Sequence, residues 1–162
     1  KVAISSAAIE TPALVSEIAA EIGVQSVVVV LDVKQRFIGK SHDVWTHNAT
    51  RNSKRDLLEV AVEMEKMGAG EIVLNSIDND GRMTGYDLKL ASQLRRVLHI
   101  PLTILGGAGS LAHMAEAVAQ CGLIGVAAGS LFVFKGSYRA VLISYPGAEE
   151  KIEKVYSALK LA

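Results

Sequence analysis

Residues 72–87 read IVLNSIDNDGRMTGYD, and this stretch decides how the chain folds. Ile72 to Leu74 is too short an apolar run for a helix and carries the β-branched residues of a buried strand. Asp78 and Asp80 arrive as the chain leaves that strand. An ionised carboxylate inside a sheet must be paired or solvated, so two of them at a strand's carboxyl end mark a cleft. Asn79, Gly81, Thr84 and Gly85 supply the turn chemistry that takes the backbone off the sheet. Alone, two acids beside a glycine are more often just a solvated turn. The flanking chain changes that reading.

Upstream, Val2 to Ile4 reads as a short strand running into Ser5 and Ser6. Thr11 and Pro12 suit the start of a helix whose stripe is Leu14, Val15, Ile18 and Ile22, closed by Gly23. Ser26 to Leu31, SVVVVL, is the continuous apolar run of a strand covered on both faces, and it ends at Asp32, again an acid at a carboxyl end. From Val33 to Lys54 the periodicity breaks, and a hairpin turning at Gly39 to Asp43 is expected. His42 and His47 have neither Cys nor helical i, i+4 pairing beside them, so they read as surface or substrate-facing rather than as metal ligands. Asp56 to Met67 is the next predicted helix, with Leu57, Val60, Met64 and Met67 inward.

Downstream, a helix from about Leu88 to Leu98 is stopped by Pro101. Leu102 to Leu105 then runs as a strand into Gly106-Gly107-Ala108-Gly109, ahead of a helix at Leu111 to Gln120. Small residues there let backbone N–H groups approach an anion, and the helix points its positive end the same way. Val126 to Ala128 repeats the arrangement with Gly129 and Ser130. Two adjacent strand ends of this kind point to phosphate. Lys135 to Pro146 has no clear period, and Glu149 to Leu161 reads as a closing amphipathic helix with Ile152, Val155, Tyr156 and Leu159 packed.

Strand starts at Val2, Ser26, Ile72, Leu102 and Val126 give five βα units in succession, and hence a parallel sheet. No GxGxxG follows the first strand and no GxxxxGK[ST] occurs, which removes the best evidence for a dinucleotide or Walker-type site. Acids after earlier strands and phosphate contacts after the last two are the layout of a (β/α)8 barrel. The 162 residues suit a single domain, and 17 basic and 17 acidic residues cancel, so no broad field points to nucleic acid or an anionic membrane. A lone Cys121 excludes an internal disulfide and fits a reducing compartment, most simply the cytoplasm. No apolar run reaches the ~20 residues of a membrane span, and KVAISSAAIE lacks a signal-peptide pattern.

The segments KVAISSAA, VVVVLDVK, GAGEIVLNSIDNDG followed by GYD, LGGAG and VAAGSLF, in this order and spacing, resemble the cyclase subunit of imidazole glycerol phosphate synthase. The resemblance covers essentially the whole chain and implies that it supplies the fourth to eighth strands of the barrel, the first three βα units preceding Lys1. It implies no cofactor and no metal. It implies a heterodimer with a glutaminase subunit, whose ammonia crosses the barrel to a phosphorylated substrate. Asp32 matches one of the family's two catalytic aspartates, a general acid/base. Asp80 matches an acid lining the substrate site, with Asp78, Gly81, Ser5 and Ser6 beside it. Gly106, Gly107, Gly129 and Ser130 match a phosphate site. Lys1 and Glu71 match the charged gate where ammonia enters. Two plainer readings stay open: an ordinary ion pair between Lys1 and Glu71, and an Asp32 that merely pairs with Lys34 or Arg36.

Departures fall on the substrate face. Ser5 stands where the family usually has Asn, Leu105 replaces a Ser, and HNATRNSK lacks the usual glycines. FVFKGSYRAVLISYP looks closer to a bacterial paralogue of surface-sugar biosynthesis, which uses the ammonia to build an acetamidino group. The expectation is therefore an ammonia-using synthase subunit, the paralogue slightly ahead of the histidine-pathway cyclase. A non-catalytic, phosphate-binding half-barrel is the alternative of another class.

Overall fold

The computed structural model describes residues 1–37, 39, 41–136 and 138–159. Among these the chain runs β1 (Val2–Ile4), α1 (Ser6–Glu10), α2 (Ala13–Ile22), β2 (Val27–Gln35), β3 (His42–Thr46), β4 (Arg51–Asp56), α3 (Leu57–Lys66) and β5 (Glu71–Ser76). It continues with α4 (Leu88–Val97), β6 (Leu102–Leu105), α5 (Leu111–Cys121), β7 (Gly125–Val126), α6 (Ser130–Val133), β8 (Phe134–Lys135), β9 (Ala140–Val141) and α7 (Ala148–Lys154).

The nine residues of β2 organise the sheet. One edge is shared: Val27–Val29 pair in parallel with β1, while Asp32–Gln35 pair antiparallel with β3. The other edge pairs in parallel with β5 from Val28 to Val33, and β5 passes the parallel order on to β6 and β7. Strands β1, β2, β5, β6 and β7, each followed by helix, β2 after the intervening β3–β4 hairpin, are five consecutive βα units of a (β/α)8 barrel. The β3–β4 hairpin extends β2 beyond its neighbours.

Burial separates the two faces. On β5, Ile72, Leu74 and Ser76 are buried, while Glu71, Val73 and Asn75 are half-buried. On β6, Leu102 and Ile104 are buried, with Thr103 and Leu105 half-buried. The buried side chains form one contiguous cluster from Ala8 to Val155. Helix starts follow local chemistry: Asp56, Asp87 and Ser110 accept from the N–H groups of Leu58, Leu90 and His113 and so cap α3, α4 and α5.

Several expectations are corrected. The second strand does not stop at Leu31 but passes through Asp32 to Gln35, because β3 supplies a ladder for its last four residues. Asp43 is not in the turn but inside β3; Lys40 of that predicted turn lies outside the described residues. Thr11 does not cap a helix, since α1 ends there and α2 begins after Pro12. The last helix stops at Lys154 and gives way to a 3-10 turn at Tyr156–Ala158, with Ile152 and Tyr156 more than half exposed and Val155 alone deeply buried. Residues 160 and 161 of that predicted helix also lie outside the described ones. The unplaced tail contains the β8–β9 hairpin.

Candidate functional site

Register brings Asp32, Asn75 and Leu105 side by side across β2, β5 and β6, at the carboxyl ends of the last two strands. Asn75 Nδ2 donates to Asp32 Oδ1 at 2.7 Å. Ser5, just past β1, reaches Asp32 Oδ2 only at 3.4 Å. The two basic residues that might have neutralised this carboxylate turn elsewhere. Lys34 Nζ stands 5.5 Å from the ring centroid of Trp45, and Arg36 donates to Asp43 at 2.7 Å while its other arm lies 3.9 Å from Asp56. Burial alone would raise the proton affinity of Asp43, but hydrogen bonds from Asn52 and Arg36 and the Arg36 charge hold it below the usual carboxylate range. Arg36 therefore serves the hairpin. Among the described residues no basic group lies within ion-pair distance of Asp32.

The 77–87 loop is tied down at four points. Asp78 Oδ2 accepts from the Gln35 N–H at 2.9 Å, so one of its oxygens joins the loop to the end of β2. The Gly81 carbonyl accepts from Arg139 Nη2 at 2.8 Å, next to the exposed Asp80. Gly85 N–H donates to the Gly107 carbonyl at 2.8 Å. Buried Tyr86 reaches across to the Ala127 carbonyl at 2.8 Å, just beyond β7, and burial pushes its hydroxyl far above the usual tyrosine range. Tyr86→Phe is expected to cost about 1 kcal/mol in urea unfolding by leaving that carbonyl unpaired. An unchanged midpoint would show that the hydroxyl contributes nothing.

The predicted phosphate glycines separate into two kinds. Gly106 and Gly107 have φ of +93° and +107°, and a Cβ there would meet the Ser76 carbonyl at 2.6 Å and the Gly85 carbonyl at 2.1 Å respectively. Both are required by close backbone approach under the 77–87 loop. Gly129 has open space around it and precedes Ser130, the half-buried first residue of α6. Ser6 Oγ accepts from the His47 N–H at 2.8 Å, and His47 Nε2 sits 2.7 Å from Glu10 Oε1, so these groups fasten the β3–β4 turn over the end of β1. The structure thus gathers Ser5, Ser6, Asp32, Asp78, Asp80, Gly81, Gly106, Gly107, Gly129 and Ser130 at the carboxyl ends of the strands. It keeps Lys1 and Glu71 at the other ends.

At that opposite rim Lys1 Nζ donates to Glu71 Oε2 at 2.6 Å, and Thr103 Oγ1 donates to Glu71 Oε1 at 2.8 Å. Burial favours the neutral acid, but the hydrogen bonds from Lys1 and Thr103, with the Lys1 charge, outweigh it and hold Glu71 below the usual carboxylate range. A carboxyl with a depressed folded-state pKa contributes stability that is complete above its unfolded pKa and lost as pH falls through the folded one. Unfolding at about pH 3 and about pH 7 is therefore expected to show a steeper acid loss in the native protein than in Glu71→Gln. Equal acid sensitivity would remove Glu71 from that balance.

Three residues of these sites carried no signal in the sequence. Asn75 was expected to open the loop after a strand ending at Leu74 and instead lies inside β5, where register sets it against Asp32. Thr103 looked like an ordinary strand residue until register set it against Glu71, and Arg139 lies in a segment without periodicity.

The profile of the family described as "Histidine biosynthesis protein" matches residues 1–139. A Vibrio vulnificus protein named "Putative imidazole glycerol phosphate synthase subunit hisF3" is 50% identical over 93% of this chain and 58% of its own length. A Leptospira borgpetersenii protein named "Putative imidazole glycerol phosphate synthase subunit HisF" is 46% identical over 93% of this chain and 59% of its own. A Lactococcus lactis "Imidazole glycerol phosphate synthase subunit HisF" is 46% identical over 72% of this chain and 45% of its own. The chain thus spans under two thirds of the length of these relatives, and no described helix is long and apolar enough to cross a membrane. With five βα units in the order the family's barrel requires and a family match over 139 of its 162 residues, the chain belongs to the histidine biosynthesis protein family.

Proposed function

We propose that this chain forms the catalytic face of an ammonia-using synthase subunit, acting on a phosphorylated substrate with ammonia delivered by a glutaminase partner. The observation that carries the reading is Asp32: a half-buried carboxylate at the strands' carboxyl ends, held by the neutral donors Asn75 and Ser5, with no cation in ion-pair reach among the described residues. A carboxylate so placed takes a proton as ammonia adds to a carbonyl and returns it in a later step. Asp80 orients the substrate beside it. Gly107 and Ser130, with their neighbouring amides, receive one phosphate group. Lys1 and Glu71 form the entrance at the opposite rim, and the four residue steps from Glu71 to Asn75 along β5 span roughly 13 Å of barrel. Localisation in the cytoplasm follows from this biosynthetic role.

Two substrates fit this machinery. The surface-sugar paralogue is favoured by the departures at Ser5 and Leu105 and by the segment FVFKGSYRAVLISYP. The histidine-pathway cyclase is the second reading. Ammonium salt, then a glutaminase partner with glutamine, supplied to the purified protein with each substrate will separate them. Conversion of the ribulosyl intermediate to imidazole glycerol phosphate would defeat the paralogue, and acetamidino sugar formed in its place would establish it. Binding of phosphorylated ligands with no turnover of either would leave the non-catalytic half-barrel.

A further inference from the structure

We infer that Asn75 is a positioning residue, holding the Asp32 carboxylate through a hydrogen bond that follows its protonation state. The inference rests on the proposed acid/base role of Asp32. A carboxylate only accepts, so the atom facing Asp32 Oδ1 at 2.7 Å is the Asn75 amide nitrogen. That orientation leaves Asn75 Oδ1 buried with no partner among the described residues. It is wedged beneath the glycine turn, where a Cβ on Gly106 would come within 3.2 Å of it. An unpaired buried carbonyl is unfavourable, so the bond to Asp32 is what keeps the amide this way round. When Asp32 takes up a proton it becomes a donor on that oxygen, and a half-turn of the Asn75 amide presents Oδ1 to accept from it. The proton stays on Asp32 and no covalent bond changes. A lysine in this position would hold the carboxylate permanently charged and poorly basic, whereas a neutral amide serves both forms.

The flanks of β2 explain why this duty falls on β5. Ser5, on the β1 side, is too short for a close contact and stops at 3.4 Å. Asn75 supplies the amide from the other side.

The side-chain 1H–15N signals of Asn75, followed from about pH 3 to about pH 8, test this in the unmodified protein. They are expected to move as Asp32 changes its protonation state, and to stay nearly still in Asp32→Asn. Signals that do not move in the native protein would overturn the inference. In the active enzyme, Asn75→Leu is expected to lower kcat roughly tenfold and to move the acidic limb of the pH–rate profile upward, with part of the loss restored in Asn75→Thr, which keeps a donor. A folded Asn75→Leu with an unmoved profile would equally overturn it. Should neither substrate turn over, the NMR result still decides the role of Asn75, and only the proposed function fails.

Discussion

Asp32→Asn is expected to lower turnover by about 10³-fold with whichever substrate the protein accepts, since general acid/base catalysis contributes roughly 10² to 10⁴. The substitution is close to isosteric. It keeps Ser5 and Asn75 within hydrogen-bonding reach and removes the negative charge and the ability to exchange a proton. No ion pair among the described residues is broken, because Lys34 and Arg36 are directed to Trp45 and Asp43. Stability is therefore expected to change by less than about 1 kcal/mol, and substrate affinity to hold. The comparison to make is single-turnover rate beside urea unfolding. A variant that retains more than about a tenth of native turnover would remove Asp32 from the chemistry.

Gly107→Ala is expected to be the most damaging small substitution in the loops, costing about 3 kcal/mol or more. Its φ of +107° already disfavours a side chain, and the new Cβ would stand 2.1 Å from the Gly85 carbonyl, which is backbone and has no rotamer to retreat to. The Gly85 N–H to Gly107 carbonyl bond would open with it, freeing the 77–87 loop that carries Asp78 and Asp80. Gly129→Ala is the matched control. Gly129 has φ of −104° and open space, so its cost is expected to stay within about 0.5 kcal/mol. Equal midpoints for the two variants in urea would mean that the glycine turn and the loop are not in contact as described.

The strands were legible where they are apolar and illegible where they are not. SVVVVL and IVL announce buried strands by composition, and Asp32, Asp78 and Asp80 stand out because carboxylates are out of place beside them. β4 gave no such signal, since RNSKRD carries no apolar residue, and its conformation comes from pairing with β3. His47, Asn48 and Ala49, all at positive φ, make the turn between them without a glycine; turn chemistry allows this conformation at Asn48 but gives no signal for it at Ala49. The continuation of β2 through Asp32 is likewise a property of its partner strand.

By itself, the sequence determined the five βα units, the ends at which the acids and glycines gather, and the family. The units and their ends follow from local periodicity, turn chemistry and composition, which act over a few residues, and the family follows from the order and spacing of motifs shared with its relatives. Only the tertiary structure decided which groups touch. Asn75 meets Asp32 across 43 residues of chain and Thr103 meets Glu71 across 32, because strand register is set by packing the whole sheet against its helices. The same packing turned Lys34 and Arg36 away from Asp32, which no spacing along the chain encodes.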